Sequence, residues 1–472
     1  MADSITPWVS SDPHLSGGFA PVFDCLDRAD LPVVQGAIPP DLEGAYFRNG
    51  PNPAFEPLSY TYPFDGDGMV HAVYLSGGKA RYRNRFVETR GLKAERRAGR
   101  ALYGGIMAPR PLDPALVGPD GDPGPFKNGA FIHIVAHAGR LLAPYEVASA
   151  YEMTWELETR GEWLAGGDTP LTMGAHVRRH PKTGDLFAIA YGVMEPLAFI
   201  HRIDPEGTLR ETRRIPLAAP TMLHDFVLTE RHLVLLAGPA VFDLAALQQG
   251  GSMLQWRPEL GTRIAVIPLD GRPERWLEAA PSFAFHLANG FERGSDLVLD
   301  YVRHERLNLG VDRPEAGAPP RHYRMTLSPT GERVAETCLS DLPVEFPRID
   351  QRFEALATTA IYSPTRQGDG SGPPGGAFNA IARFDGEGAT PRIHDFGAGL
   401  VGEAAFIPKP GSSAEGEGYL AVFLYDSGRD GSDFVLLDAQ RLEEDPVAVV
   451  RLPRRVPQGL HGSWIGREEV WV

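Results

Sequence analysis

The sequence holds only two cysteines, Cys25 and Cys338, among 472 residues. A disulfide framework and a cysteine-built zinc site are thereby excluded as organising devices. No apolar run reaches the roughly 20 residues a bilayer-crossing helix needs. The opening stretch MADSITPWVSSDPHL lacks the basic patch and apolar core of a secretory signal, so a cytoplasmic protein is expected. Positive charge is also short. Against 61 Asp and Glu stand 46 Lys and Arg, a formal net charge of −15. Nucleic acid is not an expected partner, because displacing its counterions takes a basic surface. Long amphipathic stretches are scarce, and GLKAERRAGRALYG (91–104) and DLAALQQGG (243–251) are the best short helix candidates. The glycine-rich GDGSGPPGG (368–376) opens no helix, so it is no dinucleotide fingerprint, and no organic cofactor is expected.

Turn punctuation is abundant. The 53 Gly and 43 Pro are spread between short apolar or alternating runs: RLLAPYEV (140–147), GDLFAIAYG (184–192), RHLVLLAG (231–238), TRIAVIPLD (262–270), SDLVLDYV (295–302), YLAVFLYD (419–426) and DFVLLDAQRL (433–442). These are strand signals, and many short strands with frequent turns mean a sandwich, a barrel or a propeller. SPTRQGDGSGPPGGAF (363–378) and GSSAEGEG (411–418) read as surface loops.

Four of the 14 histidines share small or apolar neighbours at strand or turn edges: TMGAHVRR (His176), APTMLHDFVLT (His224), SFAFHLANGF (His286) and PQGLHGSWIG (His461). They lie 48, 62 and 175 residues apart. A four-stranded propeller blade takes about 40–50 residues in familiar repeats, so these gaps fit one, one and three generous blades, and the chain about seven. The innermost strands of a propeller line its axis, and histidines at matching ends would converge there. Neutral imidazoles suit iron, zinc, copper or nickel. Spacing alone leaves a metal centre and a coincidence of unrelated histidines both open. His14, His137, His180, His201, His232, His304, His322 and His394 sit beside charges, turns or chain ends and read as surface. His71 and His133 lie in apolar runs and read as core.

From about residue 16 onward the motifs GAYFRNGPNP (44–53), PFDGDGMVHAV (63–73), FKNGA (126–130), GAHVRRHP (174–181), MLHDF (222–226), FHLANGFE (285–292), EFPRID (345–350), GEAAFIPKP (402–410) and LHGSW (460–464) occur in this order. Through them the sequence resembles the carotenoid cleavage oxygenases, a family of non-haem iron enzymes. The resemblance implies an all-β, seven-bladed propeller spanning residues 16–472 as a single domain after an N-terminal arm, 1–15, with short helices and loops capping the face over the metal. It implies one Fe(II) per chain, held by His176, His224, His286 and His461. It further implies that Glu146, Glu345 and Glu403 stand behind His224, His286 and His461. A carboxylate accepting the distal N–H keeps a ligating imidazole in one tautomer and raises its basicity. The implied reaction adds both atoms of O2 across a C=C bond and yields two carbonyls. The alkene supplies the electrons, so neither a reductant nor an organic cofactor is required.

The resemblance also bears on the substrate. Lignostilbene-cleaving members carry a lysine just before the first glutamate and a tyrosine upstream that grip a phenol; here these positions are Tyr145 and Ile106. A carotenoid or apocarotenoid is therefore expected over a stilbene or phenylpropenoid, with Phe64, Ile106 and Tyr145 lining its site. Ile132, fourteen residues before Glu146, matches a position beside the vacant side of the iron. The segment VFDLAALQQGGSML (241–254) offers Phe242, Leu244, Leu247, Met253 and Leu254 as an apolar patch for peripheral membrane contact.

Overall fold

Two kinds of strand build the molecule, and each follows from its residues. Lys79–Phe86 alternates, burying Ala80, Tyr82, Asn84 and Phe86 while the residues between them stay half-exposed or exposed. Leu186–Tyr191 is apolar throughout and buried throughout, as expected where both faces of a sheet pack against neighbours. The computed structural model describes residues 5–249, 251–307, 318–368 and 377–470. In it the strands form a seven-bladed β-propeller.

The first blade pairs Gly44–Arg48, Met69–Ser76, Lys79–Phe86 and Asp27–Arg28 with Gly462–Gly466 from the far end of the chain. The second blade contains Val135–His137, Arg140–Ala143, Tyr151–Met153 and Thr159–Glu162, and the third Val177–Arg179, Leu186–Tyr191, Leu197–Ile203 and Leu209–Pro216. The fourth contains Val227–Leu228, His232–Ala237, Thr262–Pro268 and Arg275–Ala279, and the fifth Leu287–Arg293, Asp296–Arg303, Arg321–Leu327 and Val334–Cys338. In the sixth, Ala360–Thr365, Ala380–Asp385 and Arg392–Asp395 are edged by bridges from Val344 to Thr365 and Arg348 to Tyr362. The seventh holds Ala405–Pro408, Gly418–Asp426, Gly431–Asp438 and Ala448–Arg451, with Val33–Gly36 on its outer edge. The ring is thus closed twice, by a late strand in the first blade and an early strand in the seventh.

Three short α-helices occur among the described residues: Arg90–Ala98, Pro114–Val117 and Leu244–Gln248. Thr89 caps the first by accepting Leu92 N–H, and Gly99, at φ 66°, ends it short of the expected 104. The loop expected over 363–378 is shorter at its start, because Ser363–Thr365 continues a buried strand; residues 369–376, and with them most of GDGSGPPGG, lie outside the described residues.

Histidines account for a correction. His137, His180, His201 and His322, read as surface residues, are buried. Three of these tie consecutive blades together: His137 Nε2–H donates to Asp204 O at 2.7 Å and His180 Nε2–H to Glu230 O at 3.0 Å, while His322 Nε2 and Ser363 Oγ lie 2.8 Å apart.

Candidate metal centre

Each of the four singled-out histidines stands one to three residues before the innermost strand of its blade. His176 precedes Val177–Arg179, His224 precedes Val227–Leu228, His286 precedes Leu287–Arg293 and His461 precedes Gly462–Gly466. They therefore occupy the same end of four blades, and their rings meet on the axis. Their candidate ligand atoms all lie within 4.8 Å of one another. Neighbouring rings stand nearly perpendicular, with centroids 4.5 Å apart for His176 and His461 and 4.8 Å for His176 and His224. His176, His286 and His461 are buried, and the His224 side chain is 11% exposed. Arg178 braces this ring of strands from below: it donates to both oxygens of Asp225, beside His224, at 2.8 and 2.7 Å, and to Leu287 O, beside His286, at 2.7 Å.

Three carboxylates stand behind the imidazoles. His224 Nδ1–H donates to Glu146 Oε2 at 2.6 Å, His461 Nδ1–H to Glu403 Oε2 at 2.7 Å, and His286 Nδ1–H to Glu345 Oε2. The backbone directly after two of these glutamates is left-handed, with φ 47° at Val147 and 49° at Phe346. Such a conformation costs a non-glycine residue about 1–2 kcal/mol, and it is most unfavourable for a β-branched one. At Phe346 the kink lets its N–H reach Glu345 Oε2 at 2.6 Å. The glycine after His461 has another cause. A Cβ on Gly462 would meet Phe47 O and the Tyr46 ring at 2.8 Å, and its N–H donates to Glu403 Oε1 at 2.9 Å.

The fit to a metal ion follows from the protons. A neutral imidazole has one N–H. In His286 and His461 that proton is spent on Glu345 and Glu403, yet their Nε2 atoms face each other at 3.1 Å. Two bare lone pairs at that separation repel unless a cation lies among them. His176 and His224 repeat the approach, Nε2 to Nε2, at 3.2 Å. Burial, with the neighbouring imidazoles adding to it, pushes His176 and His461 well below the ordinary histidine range, which holds them in the ligating form. Burial opposes charge on His224 as well, but Glu146 outweighs it and the net direction is upward. Burial works against the charge on Glu345, but His286 and His304 outweigh it and hold the carboxyl well below its usual range. Four nitrogen donors, three of them backed by carboxylates, suit a borderline divalent transition ion and not the oxygen-seeking Mg²⁺ or Ca²⁺.

Two further histidines border the centre. His133, expected in the core, is buried with its ring 5.3 Å from that of His461 and 6.0 Å from that of His176; its Nε2 is 3.1 Å from Ser463 Oγ. His304, expected on the surface, has a largely covered side chain, 16% exposed, and its Nε2–H donates to the second oxygen of Glu345 at 2.6 Å. Neither carries a local signal that separates it from an ordinary strand histidine.

Ile132 is buried against Phe131, Ala175 and Leu460, the last two adjoining His176 and His461, and its carbonyl accepts His461 N–H at 3.0 Å. Phe64 and Ile106 are half-buried against one apolar cluster, which also takes in Phe242 and Phe285. Ile106 and Tyr145 line a common cavity with Tyr60, Asp65 and Lys127. Three of its polar side chains are engaged. Asp65 accepts Ile106 N–H at 2.7 Å and Thr61 N–H at 2.8 Å, and burial raises its carboxyl to about 6. Lys127 is held by Asp67 at 2.5 Å and Glu95 at 2.6 Å. Tyr145 donates to Phe64 O at 3.2 Å.

The expected membrane patch requires correction. Met253 and Leu254 are buried, because Ala240–Phe242 and Leu254–Trp256 pair as a hairpin that turns them inward. Phe242 is half-buried and stacks on Tyr191 at 6.0 Å, which leaves Leu244 exposed and Leu247 partly so. No helix among the described residues is long and apolar enough to cross a membrane.

Comparison with known proteins places this geometry in context. The sequence profile of the family described as retinal pigment epithelial membrane protein matches residues 19–466. The chain is similar to a carotenoid cleavage oxygenase of Mycobacterium tuberculosis, 33% identical over 96% of this chain and 98% of that protein. It is also similar to an isoeugenol monooxygenase of Pseudomonas nitroreducens, 30% identical over 97% of this chain and 98% of that protein. Among solved structures, a lignostilbene dioxygenase of Pseudomonas brassicacearum superposes with a TM-score of 0.89 at 28% identity, covering 98% of this chain and all of that one.

Proposed function

Because the chain belongs to the carotenoid cleavage oxygenase family, we propose that it is an Fe(II)-dependent dioxygenase that cleaves one C=C bond of a carotenoid or apocarotenoid. The observation that carries this reading is the axial cluster of four imidazoles, three of them on carboxylates. His176, His224, His286 and His461 would hold the ion. Ferrous iron, unlike zinc, supplies redox chemistry with O2, which is what an oxygenase needs from this site. The balance is self-contained: the σ and π bonds of the alkene and the O–O bond break, and each alkene carbon leaves as a carbonyl carrying one oxygen. No proton, reductant or organic cofactor enters.

The rest falls to the protein. Glu146, Glu345 and Glu403 hold three imidazoles in the tautomer that presents Nε2 to the axis. Ile132, packed against Ala175 and Leu460, would set an apolar wall beside the ion. Phe64 and Ile106 offer apolar contact to a polyene, and exposed Leu244 with partly exposed Leu247, on the helix between the hairpin strands, remain for contact with a bilayer that holds it. The cavity beside Tyr145 favours the polyene, since Lys127 is already paired with two carboxylates and leaves no free cation there for a phenolate.

A second reading, cleavage of a stilbene or phenylpropenoid alkene, is favoured by similarity to the isoeugenol and lignostilbene enzymes. One experiment tests both. Iron-loaded protein is given an apocarotenal, a hydroxystilbene or isoeugenol under ¹⁸O2, with oxygen uptake and product masses recorded. Label in both fragments of the apocarotenal supports the leading reading. Turnover of the aryl alkenes alone selects the second, and no uptake with any of them rejects an oxygenase.

A further inference from the structure

The three carboxylates differ in what holds their other oxygen. Glu403 Oε1 accepts the backbone N–H of Gly462 at 2.9 Å, whereas Glu146 Oε1 is buried without a hydrogen-bond partner. Glu345 Oε1 alone takes a second imidazole, His304, at 2.6 Å. A carboxylate fixed at one oxygen can still swivel about its last carbon–carbon bond, and an in-plane donor at the other oxygen stops that rotation. His304 is well placed to do so. It follows directly after the strand Asp296–Arg303 of the fifth blade, and its backbone is locked to Phe283 in both directions, N–H to O at 2.8 Å and O to N–H at 3.0 Å. Its ring meets the edge of Phe285 at 5.4 Å, and Phe285 in turn meets His224 at 5.6 Å. The fifth blade thus grips one carboxylate of the sixth with two imidazoles, His286 and His304.

We infer that His304 is a positioning residue of the metal centre: by donating to Glu345 Oε1 it fixes the carboxylate that orients His286, and so tightens retention of the ion. The inference rests on the Fe(II) reading above, and metal release tests it without reference to any substrate. H304L removes the donor, and H304Q keeps an N–H at about the same reach. The rate at which Fe(II) passes from the loaded proteins to a chromogenic ferrous chelator should rise about tenfold for H304L, as for other outer contacts of metal ligands. It should stay near the parent value for H304Q. In an E345A background, where no carboxylate remains to position, H304L should add nothing. Thermal melting of the metal-free proteins controls for folding. Equal release from parent and H304L overturns the inference. Equal acceleration by H304L and H304Q also overturns it, because that marks loss of packing and not of a donated hydrogen bond. If the parent protein takes up no Fe(II), the metal reading fails first and this inference with it.

Discussion

At the scale of single residues, the centre depends on where protons are spent. Glu403 accepts from His461 Nδ1–H at one oxygen and from Gly462 N–H at the other. Glu403→Gln offers one acceptor and sets an NH2 group against a donor, so either the imidazole or the glycine loses its partner. Iron affinity should fall about 10–100-fold, read by equilibrium competition with a chelator, while the metal-free fold persists. Ile106 and Tyr145 share a cavity whose lysine is already paired. The pair Ile106→Tyr and Tyr145→Lys would introduce a phenol-binding donor and cation. In a mixed-substrate assay this double variant should shift kcat/KM toward a hydroxystilbene, relative to an apocarotenal, by about tenfold or more; an unchanged ratio would place the determinant elsewhere. The four axial histidines and the three glutamates were legible in the sequence because short motifs surround them. His304 and His133 were not, since a histidine beside charges or in an apolar run looks the same whether or not its ring turns to a buried carboxylate. That choice is made by blade packing, beyond the reach of local pattern.

At the scale of elements, runs such as LFAIAY and LVLLA declared themselves as strands because both faces of a blade are covered. Two of the three short helices were legible too, although Gly99 ends the first at Ala98 and not at 104. The segment around 241–254 was not. Its apolar residues promised a surface patch, but period and composition do not say which way a hairpin faces, and pairing buried Met253 and Leu254. The closing strand Gly462–Gly466 shows how tightly an element can be tied to the site. It pairs residue for residue with Gly44–Arg48, and Gly462 sits where a Cβ would strike Phe47 O and the Tyr46 ring at 2.8 Å. Gly462→Val should therefore cost about 1–3 kcal/mol in denaturant unfolding, as overpacking does. It should also weaken iron binding, because the strand that moves carries His461 at its head. Loss of stability with iron binding intact would separate the closing strand from the centre.

At the scale of the whole molecule, four axial histidines drawn from the first, third, fourth and fifth blades make the candidate centre a property of the closed ring, and the ring has its own sensitivity to acid. Buried histidines link the second blade to the third and the fifth to the sixth, where the Nε2 atoms of His137 and His322 bond Asp204 O and Ser363 Oγ. Burial holds both imidazoles down to about 4. In the unfolded chain each returns to about 6.5. The unfolded state therefore takes up protons that the folded state refuses between these values. The stabilising contribution is full above about pH 6.5, declines as pH falls, and is exhausted near pH 4, a loss of about 3 kcal/mol per histidine. Denaturant unfolding of the metal-free protein at pH 7 and pH 4.5 should show this loss with no iron involved. Gln in place of His322 should recover most of one histidine's share at pH 4.5 while costing little at pH 7. Equal acid sensitivity in that variant would mean that the linkage resides in other groups, the axial imidazoles foremost, and that acid attacks the ring from its centre and not at the seams between its blades.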